Sequence, residues 1–434
     1  MNIFSRLYDR IKEMPVIDCH EHMQGLGGRP NYKEPIASLI HGYVSSDLQA
    51  AAFGVTESEF ATLQDENVAT DKKWPLFDRL WRATEHTAYA RVTKLVLKNH
   101  YGIDKLTRDA LEGVRAKLSE QTDESYFEII DSAGIEAMLV DVLGWLGDDF
   151  PKYLSGEFRF PEKWRLMVSL PSLHPTVANR GTIDEVARLT DTSITSLDGF
   201  LDAVFALIKQ CVAQGAVGLK DQSAYQRVIS YDLVPRADAE RQFNRIISNA
   251  NETLGWPEGR PLNDFLFHRY MEFARDLDLP VQLHTGHMAG IRNRVGKTNA
   301  AHLSSVLEVH RDVNFDLFHG NWPYLGDLLF LGKNYPNVSL DLCWLHIIDP
   351  DYSVELLERA TKTLPHSKIH GFGGDYGDVP EYAAAHLEIA RENIAVALTG
   401  LVEGRWIDEE EAVDLAKSWL FDNPNRFFKL GIGG

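Results

Sequence analysis

Cysteine is scarce in this sequence, with only Cys19, Cys211 and Cys343 among 434 residues. Three widely spaced cysteines cannot form a disulfide framework or a cysteine-rich zinc site, which is typical of a reducing compartment. Long apolar runs are also missing, since none approaches the roughly 20 residues of a membrane span. The N-terminal segment MNIFSRLYDRIKEM mixes charged and apolar residues at helical spacing, unlike a signal peptide. We therefore expect a cytoplasmic protein without a membrane anchor.

Positive charge is in deficit as well. The sequence has 44 lysines and arginines against 63 aspartates and glutamates, a formal net charge of -19, and no basic run offsets the excess locally. Such a chain repels nucleic acid and anionic membrane surfaces, so neither is expected as a partner. Hydrophobic residues at 44% and charged residues at 25% are ordinary for a folded globular protein. The composition leaves the oligomeric state open, including a homo-oligomer.

What the sequence does contain is a series of eight short apolar runs. Between most of them lie stretches with helical periodicity, such as LDAVFALIKQCVAQG, which is the alternation of βα units around a parallel sheet. Eight such units predict an α/β protein with the (β/α)8 TIM barrel fold, which we expect to form a single domain over residues 1–434. The runs cover residues 15–20, 135–142, 165–170, 216–222, 280–286, 314–320, 337–344 and 368–376.

The first two runs are much further apart than an ordinary βα connection allows. The segment between them contains DKKWPLFDRLWRATEHTAYARVTKLVLKNHYG, which is aromatic and has helical spacing. We predict a helical insertion over residues 23–125. Because it follows strand 1, it should emerge at the carboxyl end of the strands, the face where barrel enzymes carry their active sites.

A His-x-His pair ends the first run, in PVIDCHEHMQG. Residues two apart in an extended strand point to the same face, so His20 and His22 can aim both imidazoles at one point in the barrel mouth, a geometry that suits a metal ion. Cys19 alternates with them and is expected to be a small buried residue rather than a ligand. The neighbouring carboxylates, Asp18 and Glu21, are expected to support the histidines rather than bind the metal.

Other runs end in the same kind of side chain. His284 ends strand 5 in VQLHTG, His319 ends strand 6 in FDLFHG, Asp375 ends strand 8 in GFGGDYG, and Lys220 ends strand 4 in VGLKDQ. Each residue alone has an ordinary structural explanation, such as a helix cap for the aspartate. Nitrogen and oxygen donors at so many strand ends on one face instead predict a metal centre.

The order of these residues resembles that of the amidohydrolase superfamily. Its members place His-x-His after strand 1, histidines after strands 5 and 6, and an aspartate after strand 8, and the resemblance covers most of the chain apart from the insertion. The segments GLKDQSAYQR, HTGHMAG and FHGNWPY are also similar to an amidohydrolase-related branch that includes decarboxylases, lactone hydrolases and glucuronate isomerase-like proteins. The resemblance implies a metal-bearing (β/α)8 barrel.

Residue by residue, the resemblance implies that His20, His22, His284 and Asp375 surround a divalent metal, expected to be zinc, with His319 close to the reacting centre. A bound metal lowers the pKa of its water toward neutrality, and Asp375 can accept the proton as the nucleophile attacks. The resemblance therefore implies a metal-dependent hydrolase with Asp375, His319 and Lys220 as catalytic residues.

Lys220 has two roles within the superfamily. In some branches a lysine at the end of strand 4 is carboxylated and bridges two metals, whereas in others it is unmodified and binds substrate. Both alternatives stay open for this chain. The resemblance favours one metal ion, with two if Lys220 is carboxylated.

Cationic and aromatic side chains follow strands 4 to 7, and they suggest what the substrate carries. In an acidic chain a local basic cluster attracts an anion, so a carboxylate-bearing small molecule is the expected substrate, although a solvated basic loop is the ordinary alternative. An aromatic side chain can wall the pocket or simply pack. The substrate-binding candidates are Arg292, Arg227, Tyr225 and Trp344.

Hydrolysis of a C–N or C–O bond is the expected reaction. Two alternatives use the same site: an isomerase would move a proton between adjacent carbons of a sugar acid, as in uronate isomerases, and a decarboxylase would use the metal and His319 to labilise a carboxylate. An inactive barrel that serves in binding or assembly belongs to a different class, and metal content distinguishes it from an enzyme.

Overall fold

The computed structural model describes residues 2–24, 31–118, 120, 122–142, 147 and 149–433. Eight parallel strands form one sheet in chain order, each hydrogen-bonded to the next. Each strand coincides with one of the eight apolar runs, which confirms the predicted strands. The strands are β1 Val16–Glu21, β2 Ile135–Val140, β3 Trp164–Ser169, β4 Gly218–Asp221, β5 Val281–Leu283, β6 Phe315–Leu317, β7 Val338–Asp341 and β8 Ile369–His370.

Backbone hydrogen bonds close the sheet on itself. The Cys19 N–H donates to Phe372 O at 3.0 Å, and the His22 N–H donates to Tyr376 O at 2.7 Å. These bonds join β1 to the segment that follows β8, so the first and last strands meet. The predicted (β/α)8 barrel is confirmed. Ala178–Asn179 and Thr253–Leu254 form a separate two-stranded antiparallel pair.

Helices connect the strands and surround the barrel. In the described part of the chain, one helix, α1, precedes β1, and seven helices, α2–α8, lie between β1 and β2. Each later strand is followed there by one to three helices: α9 after β2, α10 and α11 after β3, α12 and α13 after β4, α14 after β5, α15 after β6, α16 and α17 after β7, and α18–α20 after β8. Within the described ranges, none of the helices is both long enough and apolar enough to cross a membrane. The helices are α1 Ile3–Ile11, α2 Pro35–Leu39, α3 Val44–Ala50, α4 Glu57–Gln64, α5 Thr70–Thr84, α6 Ala88–Asn99, α7 Ala110–Leu118, α8 Asp123–Ser132, α9 Asp149–Ser155, α10 Arg180–Thr190, α11 Leu197–Ala213, α12 Arg236–Ser248, α13 Arg260–Asp276, α14 Ser304–Val309, α15 Leu325–Asn334, α16 Leu345–Ile348, α17 Pro350–Thr363, α18 Pro380–Glu403, α19 Glu409–Lys417 and α20 Asn423–Phe427.

The segment predicted as an insertion, residues 23–125, is mainly helical in its described part. Helices α2–α7 lie within it and α8 starts in it, while residues 25–30, 119 and 121 lie outside the described residues. Tyr43, just before α3, stacks on Trp344 with ring centroids 4.3 Å apart, and Tyr89 of α6 stacks on Tyr43 at 5.5 Å. Because Trp344 follows β7, the segment reaches the carboxyl ends of the strands.

Polar side chains occupy part of the barrel interior. Gln282, Asp316, Asp341 and His370, on four consecutive strands, are fully buried. Apolar residues such as Ile17 and Leu139 form a small cluster of their own beside them. Barrel interiors are usually filled by branched apolar side chains, so this polar layer is a distinctive feature of the chain.

Candidate metal centre

Asp375 lies among three imidazoles at the carboxyl ends of the strands. Its Oδ1 is 3.2 Å from His22 Nε2 and 3.4 Å from His20 Nε2, and its Oδ2 is 3.8 Å from His319 Nε2. His284 joins them, with its Nδ1 3.3 Å from His319 Nε2. Ligand atoms bound at about 2.1 Å around a tetrahedral ion lie about 3.4 Å apart. The separations among His20, His22 and Asp375 therefore fit a metal ion, and His284 lies next to this group through its contact with His319.

Backbone carbonyls orient three of the rings. His22 Nδ1 contacts Asp141 O at 2.8 Å, His319 Nδ1 contacts Cys343 O at 2.8 Å, and His284 Nε2 contacts His287 O at 2.7 Å. A carbonyl only accepts, so each of these nitrogens carries the proton, and the other nitrogen of a neutral ring offers its lone pair. Metal-binding histidines are commonly oriented in this way. The donor set fits a divalent cation.

The electrostatics keep most of the rings uncharged. Burial, together with Lys220, lowers the pKa of His284 to about 3, and burial lowers the pKa values of His20 and His319 well below their usual range. Burial also disfavours charge on His22, but its hydrogen bond to Asp375 raises its pKa overall. Since metals bind the neutral imidazole, three of the rings are already in the binding form and His22 would release a proton.

The backbone around Asp375 is held from both sides by the carboxylates of β1. Asp18 Oδ1 accepts the Gly374 N–H at 3.0 Å, and Glu21 Oε2 accepts the Tyr376 N–H at 2.5 Å. Asp375 itself has φ 60°, in the left-handed region that a non-glycine residue rarely adopts. Asp18 and Glu21 therefore stabilise an unfavourable backbone conformation that directs the Asp375 side chain at the histidines, the supporting role expected for them.

Lys220 is buried beside the centre. Its Nζ lies 3.1 Å from the centroid of the Phe318 ring and has no hydrogen-bond partner in the part of the chain that the structure describes. Burial lowers its pKa. An uncommitted amine that loses its proton readily suits both the carboxylated and the unmodified role.

Two of the predicted substrate-binding residues border the centre. The Trp344 ring lies 5.4 Å from that of His319 and 4.9 Å from that of His287. The Tyr225 ring lies 4.8 Å from that of His284, and its hydroxyl accepts the Ala289 N–H at 3.2 Å. Both rings therefore lie next to imidazoles of the centre, with Trp344 buried and Tyr225 exposed.

Arg292 is free to meet a ligand from solvent. Its side chain is 78% exposed and its Nη1 lies 3.3 Å from Glu57 Oε1, a contact that carries little energy at such exposure. It lines a cavity of about 220 Å³ together with His287 and Trp322. Arg292 thus shares a cavity with His287, whose carbonyl contacts His284, without being committed to the fold.

Arg227 is engaged differently from what the sequence suggests. It is buried, forms an ion pair with Asp264 and donates to Ser230 O at 2.7 Å. Its guanidinium also lies 4.4 Å from the Trp256 ring and 4.5 Å from the Tyr231 ring. These contacts engage Nη2 and the face of the guanidinium, while Nη1 is buried without a hydrogen-bond partner among the described residues. We therefore expect Arg227 to stabilise this region rather than to bind a substrate.

Three further residues near the centre are absent from the sequence-based set. Asp141 follows β2 and offers a carboxylate oxygen within 4.8 Å of the His20 and His22 ring nitrogens. The sequence did indicate Asp141, because it stands at the carboxyl end of the run IEAMLVDV, as the predicted ligands stand at the carboxyl ends of their runs. His287 follows His284 in HTGHMAG. Tyr43, whose hydroxyl donates to Asp375 O, lies in the helical segment and had no such signal.

A cavity of about 230 Å³ opens onto Asp375. Tyr43, Ser45 and Gln49 form one side, and Gly290 in the loop after β5 forms another. A larger cavity of about 440 Å³, lined by Tyr8 and Arg391 among others, contains none of the residues of the metal centre. The smaller cavity therefore contains one residue of the metal centre, Asp375.

Comparison with known proteins places the chain in a family. Residues 193–430, more than half of the chain, match the family model described as Amidohydrolase. The chain belongs to the amidohydrolase family. The matched range includes Lys220, His284, His319 and Asp375, while His20 and His22 precede it. The resemblance of the sequence to the amidohydrolase superfamily is thereby confirmed.

Individual relatives of this amidohydrolase are distant. Protein fluG of Emericella nidulans is 28% identical over 235 residues, which are 52% of this chain and 27% of fluG, so the chain spans about a quarter of that relative. Two solved structures share the fold. A uronate isomerase from Thermotoga maritima is 16% identical, and the match covers 99% of this chain and 98% of the isomerase with a TM-score of 0.78. A protein designated a metal-dependent hydrolase from Lactobacillus casei is 17% identical, and the match covers 98% of this chain and 97% of that protein with a TM-score of 0.66.

Proposed function

We propose that this amidohydrolase is a metal-dependent hydrolase of a small substrate that carries a carboxylate. The observation that supports the proposal most is the position of Asp375, whose two oxygens lie within 4 Å of ring nitrogens from β1 and β6. A carboxylate in this position can both bind a metal and exchange a proton with a substrate. The family resemblance implies that histidines after strands 1, 5 and 6 and an aspartate after strand 8 carry out hydrolysis.

His20, His22, His284 and Asp375 would hold the ion, for which zinc is the expected metal. When bound, a divalent metal supplies a Lewis acid and lowers the pKa of its coordinated water. Asp375 Oδ1 faces His20 and His22, which leaves Oδ2, on the side of His319, to accept a proton. The His319 Nδ1–H is donated to Cys343 O, so its Nε2 presents a lone pair. His319 would first take up the proton that Asp375 Oδ2 accepts, and would then deliver it from Nε2 to the leaving group or polarise the substrate with it.

The substrate carboxylate would be bound by Arg292. It is an exposed cation beside His287 and Trp322, and its partner Glu57 is almost fully exposed and easily replaced. A guanidinium binds a carboxylate through two parallel hydrogen bonds, which fixes orientation as well as charge. Tyr225 and Trp344 would wall the site around the reacting bond.

Isomerisation of a uronate on the same site is the second candidate. The fold match to the Thermotoga maritima uronate isomerase extends over nearly all of both chains and favours this alternative. In that reaction Asp375 would carry a proton between adjacent carbons, and no solvent oxygen would enter the product.

An isotope experiment distinguishes the two reactions. Metal-loaded enzyme is incubated in ¹⁸O-labelled water with a panel of small carboxylates that contain amide, lactone or ester bonds, and with uronates. Hydrolysis must place the label in the product, because the attacking oxygen comes from solvent, and Asp375→Asn serves as the inactive control. Product formed at full rate without label, after correction for carbonyl exchange, would contradict hydrolysis and favour the isomerase.

We also retain the cytoplasm as the proposed location. The three cysteines are free and buried, a state that a reducing compartment preserves.

A further inference from the structure

A second group of metal-ligating side chains lies inside the barrel. Cys19 on β1, Asp341 on β7 and His370 on β8 are fully buried. Each offers a donor atom, and these sulfur, oxygen and nitrogen atoms lie within 4.8 Å of one another. The group shares no residue with the centre formed by His20, His22, His284 and Asp375.

His370 has the hydrogen bonding of a metal ligand. Its Nδ1 lies 2.9 Å from Asp316 Oδ1, and its Nε2 is buried without a partner among the described residues. A carboxylate that accepts the proton of one ring nitrogen and leaves the lone pair of the other free is the usual support behind a metal-binding histidine. No step of the proposed reaction uses His370 or Asp316.

Asp341 presents a second unpartnered atom. Its Oδ1 accepts the Cys343 N–H at 2.6 Å, while its Oδ2 is buried with no hydrogen bond to any described part of the chain. A buried carboxylate oxygen without a partner costs free energy that a cation would recover. Two free acceptors, His370 Nε2 and Asp341 Oδ2, therefore belong to the same group as the Cys19 thiol.

The group also concentrates acidic side chains. Asp316 and Asp341 are buried together, His370 pairs with Asp316 at 2.9 Å, and burial together with Asp316 raises the pKa of the Asp341 carboxyl well above its usual range. Buried charges are retained in proteins when they are paired or bind a metal. A divalent cation would displace the protons of the Asp341 carboxyl and the Cys19 thiol to solvent, and both groups would then bind it as anions.

We propose that Cys19, Asp341 and His370 form a second divalent-metal site, inside the barrel and distinct from the centre at its mouth. Zinc is the expected ion, because it accepts thiolate, carboxylate and imidazole together in tetrahedral geometry.

The position of this site indicates a structural role. Asp341 and His370 are register partners between β7 and β8, and Cys19 on β1 bonds to the segment after β8 through Phe372. The last strand has only two residues, so few ladder hydrogen bonds hold it. An ion here would link three strands where the barrel closes, next to the residues that carry His20 and Asp375.

Cobalt spectroscopy tests the site without any substitution. The full chain is stripped of metal and loaded with Co²⁺, and near-ultraviolet absorption from thiolate-to-cobalt charge transfer is recorded. We expect this absorption in the unchanged protein, its loss in Cys19→Ser and its retention in His22→Ala. Cys211→Ser is the matched control for a buried cysteine elsewhere, and Cys343→Ser is the control for the cysteine beside His319. Both should keep the absorption.

Elemental analysis gives a second readout. The zinc content should fall by about one equivalent in Cys19→Ser and by about one in His22→Ala, with the two losses independent. Absence of the absorption in unchanged Co²⁺ protein overturns the proposal even if Cys19→Ser fails to fold. Loss of the absorption in Cys343→Ser, or loss of all metal in His22→Ala alone, would also overturn it. None of these results depends on the reaction at the mouth.

Discussion

Asp375 donates its backbone N–H to the carbonyl oxygen of His20 at 2.9 Å, and its carboxylate Oδ1 lies 3.4 Å from Nε2 of the same histidine. The first contact belongs to the closure of the barrel and the second to the candidate metal centre. Folding of the seam between β1 and the segment after β8 therefore assembles the centre. Substitution of Gly374, which is held on this seam by Asp18, should therefore change metal binding at the centre although Gly374 supplies no ligand.

Loss of one imidazole ligand should remove the metal from the centre. His22→Ala deletes a donor 3.2 Å from Asp375 Oδ1, and we expect zinc affinity at this centre to fall at least about 100-fold, since even supporting residues around metals cost 10–100-fold. Elemental analysis after dialysis measures it. His86→Ala is the matched control, because the His86 side chain is 89% exposed. Unchanged metal content in His22→Ala would refute the ligand assignment.

Asp375 is assigned to both metal binding and proton transfer, whereas His319 is assigned to proton transfer alone, so their substitution should affect metal content differently. An amide cannot act as a base, so Asp375→Asn should lower kcat by about 100- to 10,000-fold. His319→Asn should also lower kcat severely, but with nearly full metal content, because His319 is assigned to proton transfer. Turnover and metal content are measured on the same preparations. Metal loss in His319→Asn would instead make this residue a ligand.

Arg292 should control affinity for the substrate carboxylate. Arg292→Ala removes a charged donor, which should raise KM for a carboxylate substrate by a factor corresponding to about 1.5–3 kcal/mol. The neutral amide analogue of the same substrate is the control, and its KM should not change. Equal effects on both compounds would show that Arg292 packs or is solvated without binding the carboxylate.

Arg227 should instead affect stability. Arg227→Met breaks the buried ion pair with Asp264, which keeps Arg260 as a partner at 3.0 Å, and should lower the free energy of unfolding by about 1.5–3 kcal/mol. Chemical denaturation measures the loss. KM for the carboxylate should be unchanged at temperatures where the variant is folded. A raised KM with an unchanged free energy of unfolding would show that Arg227 binds the substrate.

The loop that carries Asp375 should tolerate no side chain at Gly374. A Cβ at this position would come within 1.8 Å of Glu21 Oε1, whereas a Cβ at Gly377 would meet nothing within 4 Å. Gly374→Ala should displace the Glu21 carboxylate from the Tyr376 N–H and weaken zinc binding at the centre by about 10–100-fold. Zinc titration of Gly374→Ala and Gly377→Ala compares the two. Equal affinities would show that Glu21 does not position Asp375.

Much of this fold could be predicted because its signals are local. The eight strands appear as apolar runs between helical stretches, and the period of two within a strand aligns His20 with His22. His284, His319 and Asp375 were found because parallel strands in a barrel end on the same face. That rule converts a position in the sequence into a position in space without knowledge of any contact.

Other features depended on contacts that no local pattern encodes. Arg227 was predicted to bind substrate from its position after strand 4, and no local pattern indicated its contact with Asp264, 37 residues away. Tyr43 reaches Asp375 across 332 residues, from a helical segment whose own periodicity does not say where it packs. The sequence by itself determined the strands and the residues at their ends, because both follow from backbone periodicity. Only the tertiary structure decided which charges are paired, which ring nitrogens are free and which polar atoms are buried, because those properties depend on neighbours that are distant along the chain.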